Sequence, residues 1–523
     1  MDNPKSDSAW PGRSLAIMEV CDVDQETAEK LGTVSDQRDM LRMGKQQQLR
    51  REFEFFSIWG YAVILGCSWE FALIDGVLSL PNGGTAGTVW MFLVACVGMF
   101  TVTVSMAEMA SIAPTAGGQY HWCSEFAPPK YQKFLSYFVG FFCVLGWQTS
   151  LGAACYAAAQ QIVAIIVLAN PDIIPTAWQT SLLAWGVLAC AIFANTIMFR
   201  KLPLIEGVIM IIHVSGFFAV VIVLWVMAPR SDSSVLTTFE TNGWPSSGVA
   251  CLVGLNAAIG DLIGADSSVH LSEELNNASW VLPRSMVATA LMNYVLGFIV
   301  IITLVFCLGS FGDAVSSPTG QPYVEVVYNA THSVGGTITI TAVVFILVLA
   351  CAVNNVTTSS RQLWSFARDG GPPFSGWLSR VRPGWDIPIN AIVVSVIFTI
   401  VLTCIVIGSS TAYAIFLTLT ISGLLSSYLI CISCILIRRL SGKPLPPSRF
   451  NLGRAGNVVN TFALCFLVVG LFFQFWPSAP NPNGNEMNWS VLIYGVCILF
   501  FSAYYYFRAR HRYTGPVVHV KSL

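Results

Sequence analysis

Twelve long apolar runs, separated by short polar stretches, dominate this chain. They cover roughly residues 55–80, 86–111, 135–168, 178–198, 204–228, 248–270, 286–310, 336–364, 388–408, 412–437, 457–476 and 489–507. A helix of about 20 mostly apolar residues crosses the hydrocarbon layer of a bilayer, so the pattern predicts twelve transmembrane helices and an all-α polytopic membrane protein. The third and eighth runs exceed 25 residues and are expected to tilt or protrude.

The informative positions are those where polarity enters the runs, because lipid tolerates polar side chains and broken backbone only where they face protein or a cavity. The first run reads GYAVILGCSWEFALIDG, with Gly60, Gly66, Cys67, Ser68, Trp69 and Glu70 near its middle. The sixth reads VGLNAAIGDLIGADSSVH, with Asn256, Gly260, Asp261, Gly264, Asp266, Ser267 and Ser268. Each opens a block of five runs, and matched Gly-interrupted helices point to inverted repeats with a substrate site at their interface. The expected organisation is therefore a first repeat over 55–228, a second over 248–437, a final helix pair over 457–507, and cytoplasmic tails over 1–54 and 508–523. In the fifth run, Glu206 and His213 are seven residues apart and so share a helix face. A histidine near the midplane can change charge at physiological pH, which suits a proton carrier. The eighth run carries Asn354, Asn355, Thr357, Thr358, Ser359 and Ser360, which should line the cavity or pack against the first span.

Charge fixes the orientation this pattern leaves open. With the N-terminus in the cytoplasm, 26 of the 27 Lys and Arg fall on one side, in the tails and inner loops, with Arg361 at the inner end of the eighth run counted among the inner-loop cations, against Arg230 on the other. A basic residue at the bilayer centre costs about 2.5–3.5 kcal/mol on insertion scales, and basic loops stay cytoplasmic. Only 11% of residues are charged, far below the quarter usual in soluble domains. The first 50 residues are polar and start without an apolar core, so they read as a mostly disordered tail rather than a signal peptide. A net charge of −1 excludes a nucleic-acid partner. Most of the 15 cysteines lie in or beside apolar runs with no metal-type spacing, which reads as buried free thiols. The loop from Asn170 to Thr180 has no Cys to bridge to a disulfide-linked heavy chain. Neither a zinc-protease motif nor a nucleophile elbow is present, which argues against an embedded enzyme, and no cofactor is implied. The sequons at Asn329 and Asn488 fall in outer loops, and the one at Asn277 falls inside.

Three segments carry a family resemblance: PTAGGQYHW (Pro114 to Trp122), GADSSVHLSEELNNASWVLPRSM (Gly264 to Met286) and WSFARDGGPPFS (Trp364 to Ser375). They resemble, in order and on a twelve-span background, the amino acid–polyamine–organocation transporters, specifically the fungal amino acid/choline branch. The resemblance implies a five-plus-five inverted repeat (LeuT-like) with two further C-terminal helices, and alternating access often driven by proton symport. It implies as substrate an amino acid, 4-aminobutyrate, choline or a polyamine. By position, the first break would supply Gly66, Cys67, Ser68, Trp69 and Glu70 to the substrate, and the sixth Gly264, Ala265, Asp266 and Ser267. Glu70 beside Trp69 favours a positive nitrogen through ion pairing and cation–π contact. Trp147, Asn354, Asn355 and Thr358 are expected as further walls. Some proton-coupled relatives use a Lys in mid-span five; here Lys201 lies at its mouth, which brings in His213, Glu206 and Glu70 as coupling groups. His270, Glu273 and Glu274 do not have a zinc-site spacing and are expected to pair with Arg284 or Arg368 as an inner gate. The expected location is the plasma membrane, with the vacuolar membrane as the alternative. A facilitative carrier, an antiporter or a transporter-like sensor stands as the alternative function.

Overall fold

The computed structural model describes residues 31–516 apart from 383, 410, 485 and 514. Twelve helices long and apolar enough to cross a bilayer run through it: Phe55–Ser79, Gly84–Ile112, Gln132–Ala169, Ala177–Thr196, Phe199–Met227, Ser247–Glu274, Ala278–Cys307, Val334–Arg368, Ile389–Gly408, Ala412–Leu440, Ala455–Phe473 and Ser490–Arg512. The seventh begins well before the expected residue 286. Pro283 lies inside it, and Arg284 folds back along it, Nη1 donating to the Trp280 carbonyl at 2.8 Å with the guanidinium 4.4 Å from the Trp280 ring. A basic residue is thereby accommodated at a span end.

The third span, 38 residues long, packs along both the eighth and the tenth. The first, also central, packs against the fifth, seventh and eighth. Hydrophobic side chains that remain exposed, such as Leu204, Ile211 and Val226 on the fifth span and Leu499 and Phe507 on the twelfth, lie on the surface that lipid would cover. The 14 described cysteines are free.

The N-terminal segment departs from expectation. The disorder expected for residues 1–30 lies outside the described residues, but residues 31–54 form a packed strap. Thr33 and Asp36 make a capping box that starts the helix Val34–Arg42. The same Asp36 carboxylate accepts from the backbone N–H groups of Asn277 and Ala278, at 2.8 and 2.9 Å. There it sits on the positive end of the seventh span. Lys45 pairs with Asp369, and the Arg51 guanidinium lies 3.6 Å from Asp36. The Glu52 and Phe53 N–H groups donate to the Glu274 carbonyl, at 2.9 and 3.0 Å. Composition alone reads as disorder because the strap's own side chains are polar; their partners lie hundreds of residues away.

The three sequons test the topology. Seven spans separate Asn329 from the N-terminus, and its side chain is exposed. Asn488 lies on the same face, but its Nδ2 donates to the carbonyls of Gln474 and Trp476, at 3.1 and 3.2 Å. Expression in a glycosylating eukaryotic host should give an endoglycosidase-sensitive band shift that Asn329→Gln removes and Asn277→Gln does not. A shift that depends on Asn277 would invert the orientation.

Candidate functional site

Two helix breaks build the site. The first span divides at Cys67, which takes a left-handed conformation with φ 45° between Phe55–Gly66 and Ser68–Ser79. Gly66 is needed beside it, since a Cβ there would lie 2.4 Å from Asn293 Nδ2, the group that donates to the Val63 carbonyl at 3.1 Å. The sixth span runs as a regular helix over Ser247–Leu262, opens at Gly264 with φ 107°, and resumes as a tighter helix over Ser267–Glu274. An L side chain at that φ would be strained.

A cavity of about 310 Å³ lies between the breaks, reached by the first, third, sixth, eighth and tenth spans. Of the expected substrate contacts, Gly66, Trp147, Gly264 and Asn355 line it. Cys67, Ser68, Trp69, Glu70, Ala265, Asp266, Ser267, Asn354 and Thr358 do not. Asn354 and Thr358 instead fasten the eighth span to the first: Tyr61 Oη donates to the Asn354 carbonyl at 2.8 Å and lies 2.6 Å from Thr358 Oγ1. Asp266 is held by the Tyr428 hydroxyl and the Gln119 amide. The carboxylates that do line the cavity are Asp75 and Asp261, each on the half-helix facing away from the chain termini. Sequence alone does not mark Asp75, because it falls near the end of its run, where a charge reads as the start of a loop. Asp261 stands out as polar in the sixth run, but spacing alone does not show which of that run's carboxylates faces the opening.

Behind the first break, Glu70 pairs with the fifth span. Its Oε1 lies 2.7 Å from His213 Nδ1, and the Trp69 indole Nε1 approaches the same nitrogen at 3.2 Å. Glu70 and His213 are both fully buried, with Glu70 Oε2 and His213 Nε2 unpartnered. The shorter contact is a hydrogen bond between Nδ1 and Oε1. Glu206, two helical turns nearer the termini, is also buried with Oε2 unpartnered and follows the same face toward the first span, its carbonyl 3.8 Å from where a Gly60 Cβ would sit.

On the side of the termini the path is sealed. Arg368 holds Glu273 through two hydrogen bonds of 2.8 and 2.6 Å, and Arg361 Nε donates to Glu274 at 2.9 Å. Arg361, which sequence places with the inner-loop cations, is a fully buried member of the eighth span. His270 lies 2.9 Å from the Ala116 carbonyl through Nδ1. Arg284 stands apart from the cluster: besides Trp280 it contacts the Arg449 carbonyl at 3.4 Å. The strap covers these pairs. Burial works against charge on Asp369, but Lys45 and Arg368 beside it outweigh this and hold its carboxyl below the ordinary range. The Asp369 charge is therefore lost only as acid titrates it below that range, while burial lowers Lys45, so the strap's charge pair is also lost on the basic side earlier than a free lysine would allow. His121, nearby, is pushed down to about 3, first by burial and then by Lys45, and stays neutral.

Comparison with known proteins agrees with this architecture. The family model described as amino acid permease matches residues 56–497. An uncharacterized amino-acid permease of Schizosaccharomyces pombe is 27% identical, covering 94% of this chain and 91% of the relative. A choline transporter of Saccharomyces cerevisiae is 26% identical over 88% of this chain and 82% of its own. Among solved structures, a manganese transporter of Eremococcus coleocola shares the fold at a TM-score of 0.52 and 12% identity, covering 90% of this chain and 95% of that one.

Removing one partner of a buried ion pair costs about 3–5 kcal/mol, because the other charge is left unpaired. Arg368→Ala, which orphans the fully buried Glu273, should therefore weaken the closed state more than Glu273→Gln, after which the partly exposed Arg368 keeps Asp369 beside it. Thiol labelling from the side of the termini, at a cysteine introduced in place of Ser267, should speed up in that order. Equal labelling in wild type and both variants would show that these pairs do not close the path.

Proposed function

The chain belongs to the amino acid permease family, and from that premise we propose that it is a secondary active transporter of small amine-bearing solutes, coupled to protons and working by alternating access. The observation that supports this reading best is the cavity between two matched helix breaks, with buried ion pairs and a strap on one face of it. Substrate enters from the face opposite the termini and binds between the first and sixth breaks. Transport then requires Glu273–Arg368, Glu274–Arg361 and Lys45–Asp369 to part so that the half-helices on the other side can swing away. The charge asymmetry of the loops supports a cytoplasmic location for both termini, and the membrane of this reading is the plasma membrane. The segments 55–228 and 248–437 act as the two repeats, with the helices after residue 455 packed outside them.

Glu70 and His213 carry the coupling in this reading. Gain or loss of one proton changes the net charge between the first span, which moves, and the fifth, which abuts it. Glu70 is next in sequence to Phe71, a wall of the cavity, so the charge state of the pair bears directly on the shape of the site. Glu206 is the second coupling candidate, at the same interface nearer the termini.

The test is uptake by proteoliposomes of radiolabelled choline, 4-aminobutyrate, spermidine and a neutral amino acid, each with and without an inward proton gradient. At least one should accumulate against its gradient when protons flow in. His213→Ala and Glu70→Gln should cut that accumulation about tenfold, a typical coupling magnitude, while exchange of labelled for unlabelled substrate continues. Saturable uptake indifferent to the proton gradient would replace the symporter with a facilitative carrier.

A further inference from the structure

The cavity wall is rich in hydrogen-bond acceptors that have no donor. Asp75 and Asp261 make no hydrogen bond or ion pair among the described residues, yet lie near enough for their charges to act on each other. Lys, Arg and His are absent among the described residues of the lining. Asn256 Nδ2 donates to the Phe473 carbonyl at 2.7 Å, which fixes the amide and leaves Oδ1, in the same wall, unpartnered. Gln474, 4% exposed, also lines the cavity, and its Oε1 has no partner. Trp147, 1% exposed, has an unpartnered indole N–H in the wall.

Two unpaired carboxylates within the membrane's span oppose each other, and burying an uncompensated charge is costly. With both carboxylates ionised, a ligand carrying one positive charge leaves the pair with a net negative charge, and a ligand carrying two neutralises it and so favours the doubly ionised state. The neutral acceptors add a second demand. A protonated primary or secondary amine brings N–H groups for Asn256 and Gln474, whereas a quaternary ammonium brings none. A cavity of about 310 Å³ is at the small end of ligand sites, about 300–1,000 Å³, which suits a short aliphatic chain.

We propose that this cavity selects a solute with two protonated nitrogens, with Asp75 and Asp261 as its paired counter-ions. The inference rests on the transport reading and narrows it from amines in general to N–H-bearing dications. An aliphatic diamine or polyamine and a basic amino acid share this chemistry. They differ in the carboxylate that a basic amino acid would present to the Trp147 indole N–H.

The test is equilibrium binding to the purified full-length protein in lipid nanodiscs, with putrescine, spermidine, lysine, choline and alanine as the probes. Wild type should bind a dication at least about tenfold more tightly than choline or alanine. Asp75→Asn and Asp261→Asn, each checked for an unchanged unfolding midpoint, should lower the dication-to-choline affinity ratio about tenfold. Tightest binding of putrescine or spermidine identifies a diamine site, and tightest binding of lysine a basic amino acid site. Preference for choline or alanine, or an affinity ratio unmoved in both well-folded variants, overturns the proposal. Proteoliposome uptake separates this outcome from the fate of the transport reading. Dication binding with the expected dependence on Asp75 and Asp261, but without translocation, refutes transport and leaves the site standing. Translocation of alanine alone does the reverse.

Discussion

An ionised side chain within a bilayer needs a counter-charge, a set of hydrogen bonds or a water-filled space, and that requirement sorts the buried acids of this protein into distinct groups. Glu273 and Glu274 have Arg368 and Arg361. Glu108 has Arg439 and the Leu452 N–H. Glu70 has His213, Glu206 has the Asn354 side chain as a hydrogen-bond partner, and Asp266 has two neutral donors. Asp75 and Asp261 alone among these lack such a partner and line the cavity. The acids that lock the fold and those available to a solute are thus separated by whether the protein supplies the compensating group.

That separation also orders the molecule along the membrane normal. Compensated charges cluster on the side of the termini, where Lys45–Asp369, Glu273–Arg368 and Glu274–Arg361 lie close together. Uncompensated ones sit on the far halves of the broken spans. A carrier that opens toward the termini must break the compensated set, and buried pairs are costly to leave half-made. The strap raises that cost, because it ties backbone and side chains of residues 33–53 to both the sixth and the eighth spans. In the proposed mechanism the free energy for opening comes from what binds in the cavity and at the Glu70–His213 pair, in keeping with the rule that a ligand shifts an equilibrium only by its differential affinity for the two states.

The twelve spans were legible in sequence because bilayer thickness imposes a run length that no soluble element needs, and the breaks were legible because Gly66 and Gly264 interrupt otherwise apolar helices. The partner choices were harder to read. Glu70 and Asp75 are five residues apart on one helix, so they lie on different faces; the face that meets the fifth span finds a partner in His213, and the other is left to line the cavity. Helix rotation is set by packing against neighbours, as where Trp69 meets His213 and Phe217, and that information is not local to the run. The eighth span shows the same limit. Adjacent Asn354 and Asn355 look alike in sequence, yet one fastens Tyr61 and the other reaches the cavity wall and Ser150.

The strap shows why low hydrophobicity is a poor guide to disorder next to a membrane domain. An isolated segment with few apolar residues cannot offset its ordering entropy. Residues 33–53 do not need a core of their own, because the breaks and helix ends beside them leave unpaired carbonyls and N–H groups that a polar segment can satisfy. Asp36 answers the N–H groups at the start of the seventh span, and Arg51 answers the Ser272 and Leu275 carbonyls of the broken sixth. The irregular backbone that opens the cavity therefore also creates the demand for the strap. A movement that re-formed those backbone bonds would release the strap from its partners, so in the proposed cycle opening of the path and detachment of the N-terminal segment would be coupled.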